Sequence, residues 1–435
     1  MKKTIYDNIN EIVYEEKLSN GLTIKIIPKP GYKKVFACFG TNYGSLTNKF
    51  VPYNESEYVE VPLGIAHFLE HKLFAMEDGT DAANIFTEMG LEANAYTDYT
   101  ETVYLFSGTS EIENGINLLL DFVQKPYFTD ENVESERGII EQELLMYLDM
   151  PRDRLHSGLM ENMFEVYPLR YDVGGTVEEI KKIDKETLYK CYNTFYHPSN
   201  MSFIIVGDVD CDKIFELIRS NQNKKDFPKP LDIKRNFLVE DENVVRKYSS
   251  IKMDVSIPKI AIGFKLPFEK YSYNENMMIE LYLKIILESK LGPSSDFYQE
   301  LLDEELISGS LGYSVFLDDK CGYVKVSADS KKPEEYSKKM KEFLLKLSKV
   351  KIENNEFERF KKAILGSFLK SLNSLEFIAS SFIEYDFKNC DLFSSIKLLE
   401  NSTLKDVKKM GKYFKESALT EFVVFPKDWK ENDKN

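Results

Sequence analysis

The sequence predicts an α+β protein of two similar domains arising from an internal duplication, each a mainly antiparallel sheet with helices packed on it. Three observations predict this. Strands come in runs and helices in pairs, which favours segregated layers over a doubly wound sheet. One series of strand, helix, helix and strand occurs twice. The two series are offset by nearly one number, about 220 residues.

Taken in order, Val103–Ser107 (VYLFS) reads as a strand from its β-branched and aromatic content. The next stretch, EIENGINLLLDFVQ, has an apolar stripe of helical period. FTDENVESERGIIEQELLMYLDM reads as a second helix, with Thr129 and Asp130 as cap candidates. Farther along, Tyr323–Ser327 (YVKVS), KKPEEYSKKMKEFLLKLSKV and KIENNEFERFKKAILGSFLKSLNS repeat the order. The strands are 220 residues apart, and the second helices 224 when Val133 is set on Phe357. The closing strands, SFIIVG and EFVVFP, are 219 apart when Phe203 is set on Phe422. Between the copies, NQNKKDFPKPLDIKRNF has two prolines, several lysines and few apolar residues, and reads as a surface linker. The expected division is a domain at 1–222, a linker at 223–245 and a second domain at 246–435. A length of 435 residues alone suggests about three domains; the repeat replaces that number with two.

Composition narrows the function. Hydrophobic residues make up 43% and charged residues 30%, which excludes a disordered, collagen-like or coiled-coil chain. The net charge of −15 disfavours a nucleic-acid partner. It also disfavours adhesion to anionic membranes. Cys38, Cys191, Cys211, Cys321 and Cys390 are odd in number and form no C-x-x-C pair, so a reducing compartment fits better than a disulfide framework. No apolar h-region follows the lysines at the start, and no apolar run is long enough to span a bilayer. The expectation is a cytoplasmic protein without membrane insertion.

The chemistry concentrates in GIAHFLEHKLF, residues 64–74. On a helix, His67, Glu70 and His71 fall within an arc about 100° wide, opposite Ile65, Phe68, Leu69 and Leu73. Phe74 falls on the histidine side. Two imidazoles four residues apart can reach one ion. Neutral imidazole suits zinc, and Glu70 between them could take a proton from a bound water. This order, H-x-x-E-H, inverts the H-E-x-x-H zinc-peptidase motif. An open zinc site needs a third protein ligand. On the helix ERGIIEQELLMY, Glu136 and Glu143 share an arc with Ile139, Ile140, Leu144 and Tyr147, while Glu141 falls on the other side. A carboxylate turned toward a core needs a partner. Glu143 is therefore assigned as the third ligand and Glu136 as a supporting carboxylate.

These residues resemble the pitrilysin (insulinase) family of inverzincin zinc peptidases, which includes the mitochondrial processing peptidases. Glu143 stands 72 residues after His71 and seven after Glu136, and both spacings match the family pattern. HFLEHKLF further resembles a bacterial branch whose genes often lie beside that of a zinc-less partner subunit. Gly90 and LEANAYTDYTETVYLF resemble the family's edge strand that takes substrate as an added strand. The resemblance thus makes Asn94, Ala95 and Thr97 candidate substrate contacts, through β-augmentation. YHPSNMSFIIVGD resembles the strand closing the first domain, which makes His197 structural. His156, with no partner at metal spacing, is expected at the surface.

The resemblance implies a Zn2+-dependent endopeptidase cutting short or unfolded peptides, with His67, His71 and Glu143 on the metal and Glu70 and Glu136 serving the chemistry. It also implies two such chains around a chamber, and possible work in peptide maturation. Active relatives carry an arginine seven residues before a tyrosine in the opposing half. Here Leu302 stands where the arginine is expected and Tyr313 lies 11 residues on. The expected assembly is therefore a heterodimer with a related zinc-less subunit supplying the Arg/Tyr pair, rather than a homodimer. Two alternatives remain: a non-catalytic structural or substrate-holding subunit, and a zinc enzyme acting on non-peptide substrates.

Overall fold

The structure is a computed structural model that describes residues 1–430 except Leu231, Lys270 and Asp319. Leu231 of the expected linker, and Lys270, Asp319 and 431–435 of the expected second domain, lie outside the described residues. The chain begins β1 (Lys2–Tyr6), β2 (Glu11–Lys17), β3 (Thr23–Pro28), β4 (Val35–Thr41), β5 (Lys49–Phe50), β6 (Val59–Glu60), α1 (Ile65–Leu73), α2 (Ala82–Glu88), β7 (Glu92–Thr97) and β8 (Thr102–Gly108). It continues α3 (Ile112–Val123), α4 (Asp130–Asp149), α5 (Pro151–Met163), α6 (Val177–Ile180), α7 (Lys185–Phe195), β9 (Met201–Gly207) and α8 (Cys211–Gln222). The remainder runs β10 (Tyr248–Met253), β11 (Lys259–Leu266), α9 (Tyr273–Leu291), α10 (Asp296–Asp303), β12 (Gly312–Leu317), β13 (Gly322–Asp329), α11 (Pro333–Lys346), α12 (Asn354–Ser371), α13 (Leu375–Phe387), α14 (Ser395–Glu400), α15 (Leu404–Lys409) and β14 (Leu419–Pro426).

Two sheets carry the fold, ordered β1-β2-β3-β9-β4-β8-β7 and β10-β14-β11-β13-β12. Without β1 and β2 they have one topology. β3 runs parallel to β9 as β10 does to β14, and every other neighbour is antiparallel. The fold is α+β with two similar domains, and the repeat seen in the sequence is a repeat of sheet topology. β4 and β9 are buried along their whole length. Their apolar residues run on both faces because both faces are covered.

The chain divides into two compact units, neither continuous in sequence. The first comprises Met1–Leu144, Asp172–Phe237 and Phe368–Phe393; the second comprises Leu145–Tyr171, Leu238–Ser367 and Ser394–Asn435. This differs from a division into 1–222, 223–245 and 246–435 chiefly in two helices. α5 packs on β11 and β14 of the second unit, and α13 on β4 and β9 of the first. The two are equivalent in the repeat: each has 13 residues, and their starts lie 224 apart. The exchange has no local sequence signal, because an amphipathic helix shows what it must bury but not against which sheet.

A glycine in each central strand lets the exchanged helix approach. A Cβ on Gly40 of β4 would stand 2.8 Å from Ile383 Cγ2 of α13, and one on Gly263 of β11 would stand 2.3 Å from Met163 Cε of α5. In the first unit, Leu375, Ile378, Phe382 and Ile383 close over Cys38, Val103, Ile204 and Val206. His156 on α5, expected at the surface, is half-buried. Its Nδ1 lies 3.2 Å from Lys325 Nζ and its ring is near Tyr323. Burial, then the lysine charge, lowers its pKa to about 4.

In the stretch read as a linker, Glu240 is buried and accepts from the backbone N–H groups of Glu165, Val166 and Tyr167. Lys265 Nζ donates to it at 2.7 Å, with both side chains out of solvent. The site-bearing helix α1 starts at Gly64, whose φ of 83° is left-handed. A Cβ there would lie 2.1 Å from Gly174 O. Cys38, Cys191, Cys211 and Cys321 are free thiols. Among the described residues, no helix is long and apolar enough to cross a membrane.

Two outcomes are expected in urea unfolding. Lys265→Met leaves a buried carboxylate without its cation and costs about 3–5 kcal/mol, part of which Lys265→Met/Glu240→Gln recovers. Gly64→Ala forces the chain off Gly174 and out of a conformation an L side chain resists, lowering stability by about 1–3 kcal/mol.

Candidate metal centre

α1 is held by Ile65, Ala66, Phe68, Leu69 and Leu73, all buried. Its other side presents His67, Glu70 and His71, each half-buried. α4 lies alongside, anchored by Val133, Ile140 and Leu144. Spacings of three and four residues put Glu136 and Glu143 in that stripe, two turns apart. Ile139, read as part of the apolar arc, is 56% exposed. The buried stripe is narrower than the arc drawn from the sequence, and Ile139 sits a full 100° step from Ile140.

The side chains meet as follows. His67 Nε2 lies 3.8 Å and His71 Nε2 3.5 Å from Glu143 Oε2. One ligand atom from each of His67, His71 and Glu143 lies within 4.8 Å of the others. Tetrahedral ligands at zinc distances of 2.0–2.2 Å stand roughly 3.4 Å apart, so this donor set fits a zinc-sized ion with small adjustment. His71 Nδ1–H donates to Glu136 Oε1 at 3.1 Å, which in the neutral ring leaves Nε2 as the lone-pair nitrogen toward Glu143. His67 Nδ1 is buried without a hydrogen-bond partner, and a Cβ on Gly174 would lie 3.6 Å from it.

Burial lowers the His67 pKa to about 4, with His71 adding and Glu143 and Glu136 opposing. His67 is thus held neutral, the form that binds metals. His71 moves upward: burial opposes, but the Glu136 hydrogen bond and the surrounding carboxylates outweigh it. Burial raises Glu70 against the Thr97 hydrogen bond and His71, which favour its charged form. Glu136 moves down despite burial, because His71 and Lys72 favour its charged form.

The residues read as substrate contacts occupy the edge strand β7. Their placements differ. Asn94 is exposed, and its Oδ1 accepts from Ala95 N–H at 2.9 Å. Ala95 packs against the main core of the first unit. Thr97 Oγ1 donates to Glu70 Oε2 at 2.6 Å. His197 bonds Ser199 Oγ at 2.8 Å and Pro228 O at 2.9 Å, inside the first unit. In the second unit, the Tyr313 hydroxyl donates to Glu288, and Leu302 is exposed.

The sequence reading passed over Lys72. Only 2% exposed, it has its Nζ 3.7 Å from Glu136 Oε2, while His71 bonds the other oxygen of that carboxylate. The signal was present. On the wheel of α1, Lys72 falls among Ile65, Phe68 and Leu69, and a lysine on a buried arc requires an acid to pair with.

Residues 55–177 match the profile described as Insulinase (Peptidase family M16), and residues 182–364 that of the Peptidase M16 inactive domain. Uncharacterized zinc protease YmfH of Bacillus subtilis (strain 168) is 42% identical over 410 residues, covering 94% of this chain and 95% of that protein. Zinc protease PqqE of Helicobacter pylori is 23% identical over 383 residues, 83% of each. The crystal structure of an M16-like peptidase from Alicyclobacillus acidocaldarius matches with a TM-score of 0.91 at 34% identity, over 96% of this chain and 98% of that one. A repeated sheet topology, a helix bearing two imidazoles against one bearing two glutamates, and a match running nearly end to end lead to one conclusion. This chain belongs to the insulinase family, peptidase family M16.

Proposed function

We propose that the chain is a zinc-dependent endopeptidase acting on short or unfolded peptides, with His67, His71 and Glu143 as metal ligands. The observation that carries this reading is the convergence of both Nε2 atoms on Glu143 Oε2. The relatives named zinc proteases support it. Bound there, zinc would supply Lewis acidity and a water of lowered pKa. Glu70, raised by burial, suits a group that takes a proton from water and returns one to the leaving amine. Glu136 holds the His71 ring through Nδ1–H and keeps Nε2 forward. The free edge of β7 would receive an extended peptide as an added strand, with Asn94 and Ala95 at that edge.

A complete donor set argues against a subunit that only holds substrate. The lack of an arginine seven residues before Tyr313, and the engagement of Tyr313 with Glu288, support a two-chain enzyme in which a related zinc-less subunit supplies those groups. Cytoplasmic peptide maturation is the role proposed for such a pair. Affinity purification with mass spectrometry tests the assembly: a second, related chain is expected to co-purify, and a homodimer with full activity would refute it.

Two further outcomes are expected. Wild-type protein binds one zinc ion per chain, and Glu143→Gln loses affinity by at least about 10-fold in competition with a chromophoric chelator. Glu70→Gln keeps its zinc and loses about 10²–10⁴-fold in cleavage of a peptide library. Cleavage undiminished in Glu70→Gln, or zinc held with no cleavage by wild type in the presence of its partner, would sink the peptidase reading.

A further inference from the structure

β7 alternates. Ala93, Ala95 and Thr97 lie on the side of α1, and Tyr96 packs into the cluster on the other face. Asp98 N–H donates to Glu101 O at 2.8 Å, so this pair is hydrogen-bonded. The antiparallel ladder then makes Thr97–Thr102 and Ala95–Tyr104 non-bonded pairs, and the backbone groups of Ala95 and Thr97 point away from β8 to the open side. Asn94 reaching round to Ala95 N–H fits that direction. Thr97 therefore faces two ways. Its main chain looks out of the sheet edge, and its hydroxyl, at 2.6 Å, donates to Glu70 Oε2. The Thr102 hydroxyl beside it, at 3.3 Å, donates to Tyr43 O at 2.9 Å, which leaves the Thr97 proton for Glu70.

We infer that Thr97 is a positioning residue: it ties the orientation of Glu70 to the edge strand, so that one residue sets both the register of an incoming peptide and the direction of the proton acceptor. The inference rests on the peptidase reading above for its consequence, though not for its geometry. Glu70 sits on a helix, has three side-chain torsions and is half-buried. Without a donor, nothing on β7 would hold its carboxylate at the edge. A role in peptide contact alone would leave the hydroxyl without its use.

The test compares Thr97→Val, which keeps the shape and removes the donor, with Thr97→Ser, which keeps the donor. In crystal structures of the zinc-loaded full chain, the Glu70 carboxylate is expected to leave residue 97 in Thr97→Val and to stay in Thr97→Ser. In peptide cleavage, Thr97→Val is expected to lose about 10–100-fold in kcat with KM within about twofold, and Thr97→Ser to recover most of it. Zinc affinity is expected to match wild type in both variants. An unmoved Glu70 in Thr97→Val, equal losses in both variants, or a rise in KM at constant kcat would overturn the inference. If wild type cleaves no peptide even with its partner present, the peptidase reading fails, and the position of Glu70 in the two crystal structures still decides the inference.

Discussion

The hydrogen bond from His71 Nδ1–H to Glu136 is the interaction on which the rest of the centre depends. It selects the tautomer of the neutral ring, in which the second nitrogen is a lone pair on the side of Glu143. It also joins α1 to α4, two helices 65 residues apart at these positions, and two turns of α4 then carry Glu143 to the front of both rings. Lys72 lies beside the other oxygen of the same carboxylate, buried where only a pair makes a lysine tolerable. Three carboxylates, those of Glu70, Glu136 and Glu143, thus stand at this centre, and the Lys72 ammonium lies beside one of them, Glu136. The surplus of negative charge is what a divalent cation would offset, and its binding would hold the two helices together by linkage.

Much of this was legible in the sequence because it is local. Residues 67, 70 and 71 lie within two turns, and Glu136 and Glu143 share a face of any helix that contains both. The repeat was legible because sheet topology leaves its imprint on the order of apolar runs. What escaped was set by tertiary contact. Nothing around Thr97 in sequence shows that its hydroxyl meets a glutamate 27 positions earlier. His156 looked like a surface residue because its cover comes from β13. Lys72 is legible from the wheel of α1, where it is the ionisable residue on the apolar arc.

The duplication kept the scaffold and not the chemistry. Both sheets end in a free strand at the corresponding position, β7 in one and β12 in the other. Around β12 no counterpart of the His67, His71 and Glu143 cluster stands among the described residues. On the 224-residue offset, Glu143 aligns with Ser367. A sheet of this topology is stable for reasons unconnected with the ligands, namely a buried central pair of strands covered on both faces. One copy could therefore lose its donors without losing its fold.

The exchange of α5 and α13 bears on how the chain is made. The face of the first sheet that bears Cys38, Val103, Ile204 and Val206 is complete once β9 has formed, but its cover arrives only with Ile378, Phe382 and Ile383. From Gly207 to Ile383 a ribosome adds 176 residues, roughly 10–35 s at ordinary elongation rates. For that interval a nascent chain bears a finished sheet with one apolar face open to solvent. The half that carries His67, His71 and Glu143 thus spends part of its own synthesis without its cover. A stop codon placed in the linker would release it uncovered, with His67, His71 and Glu143 all present.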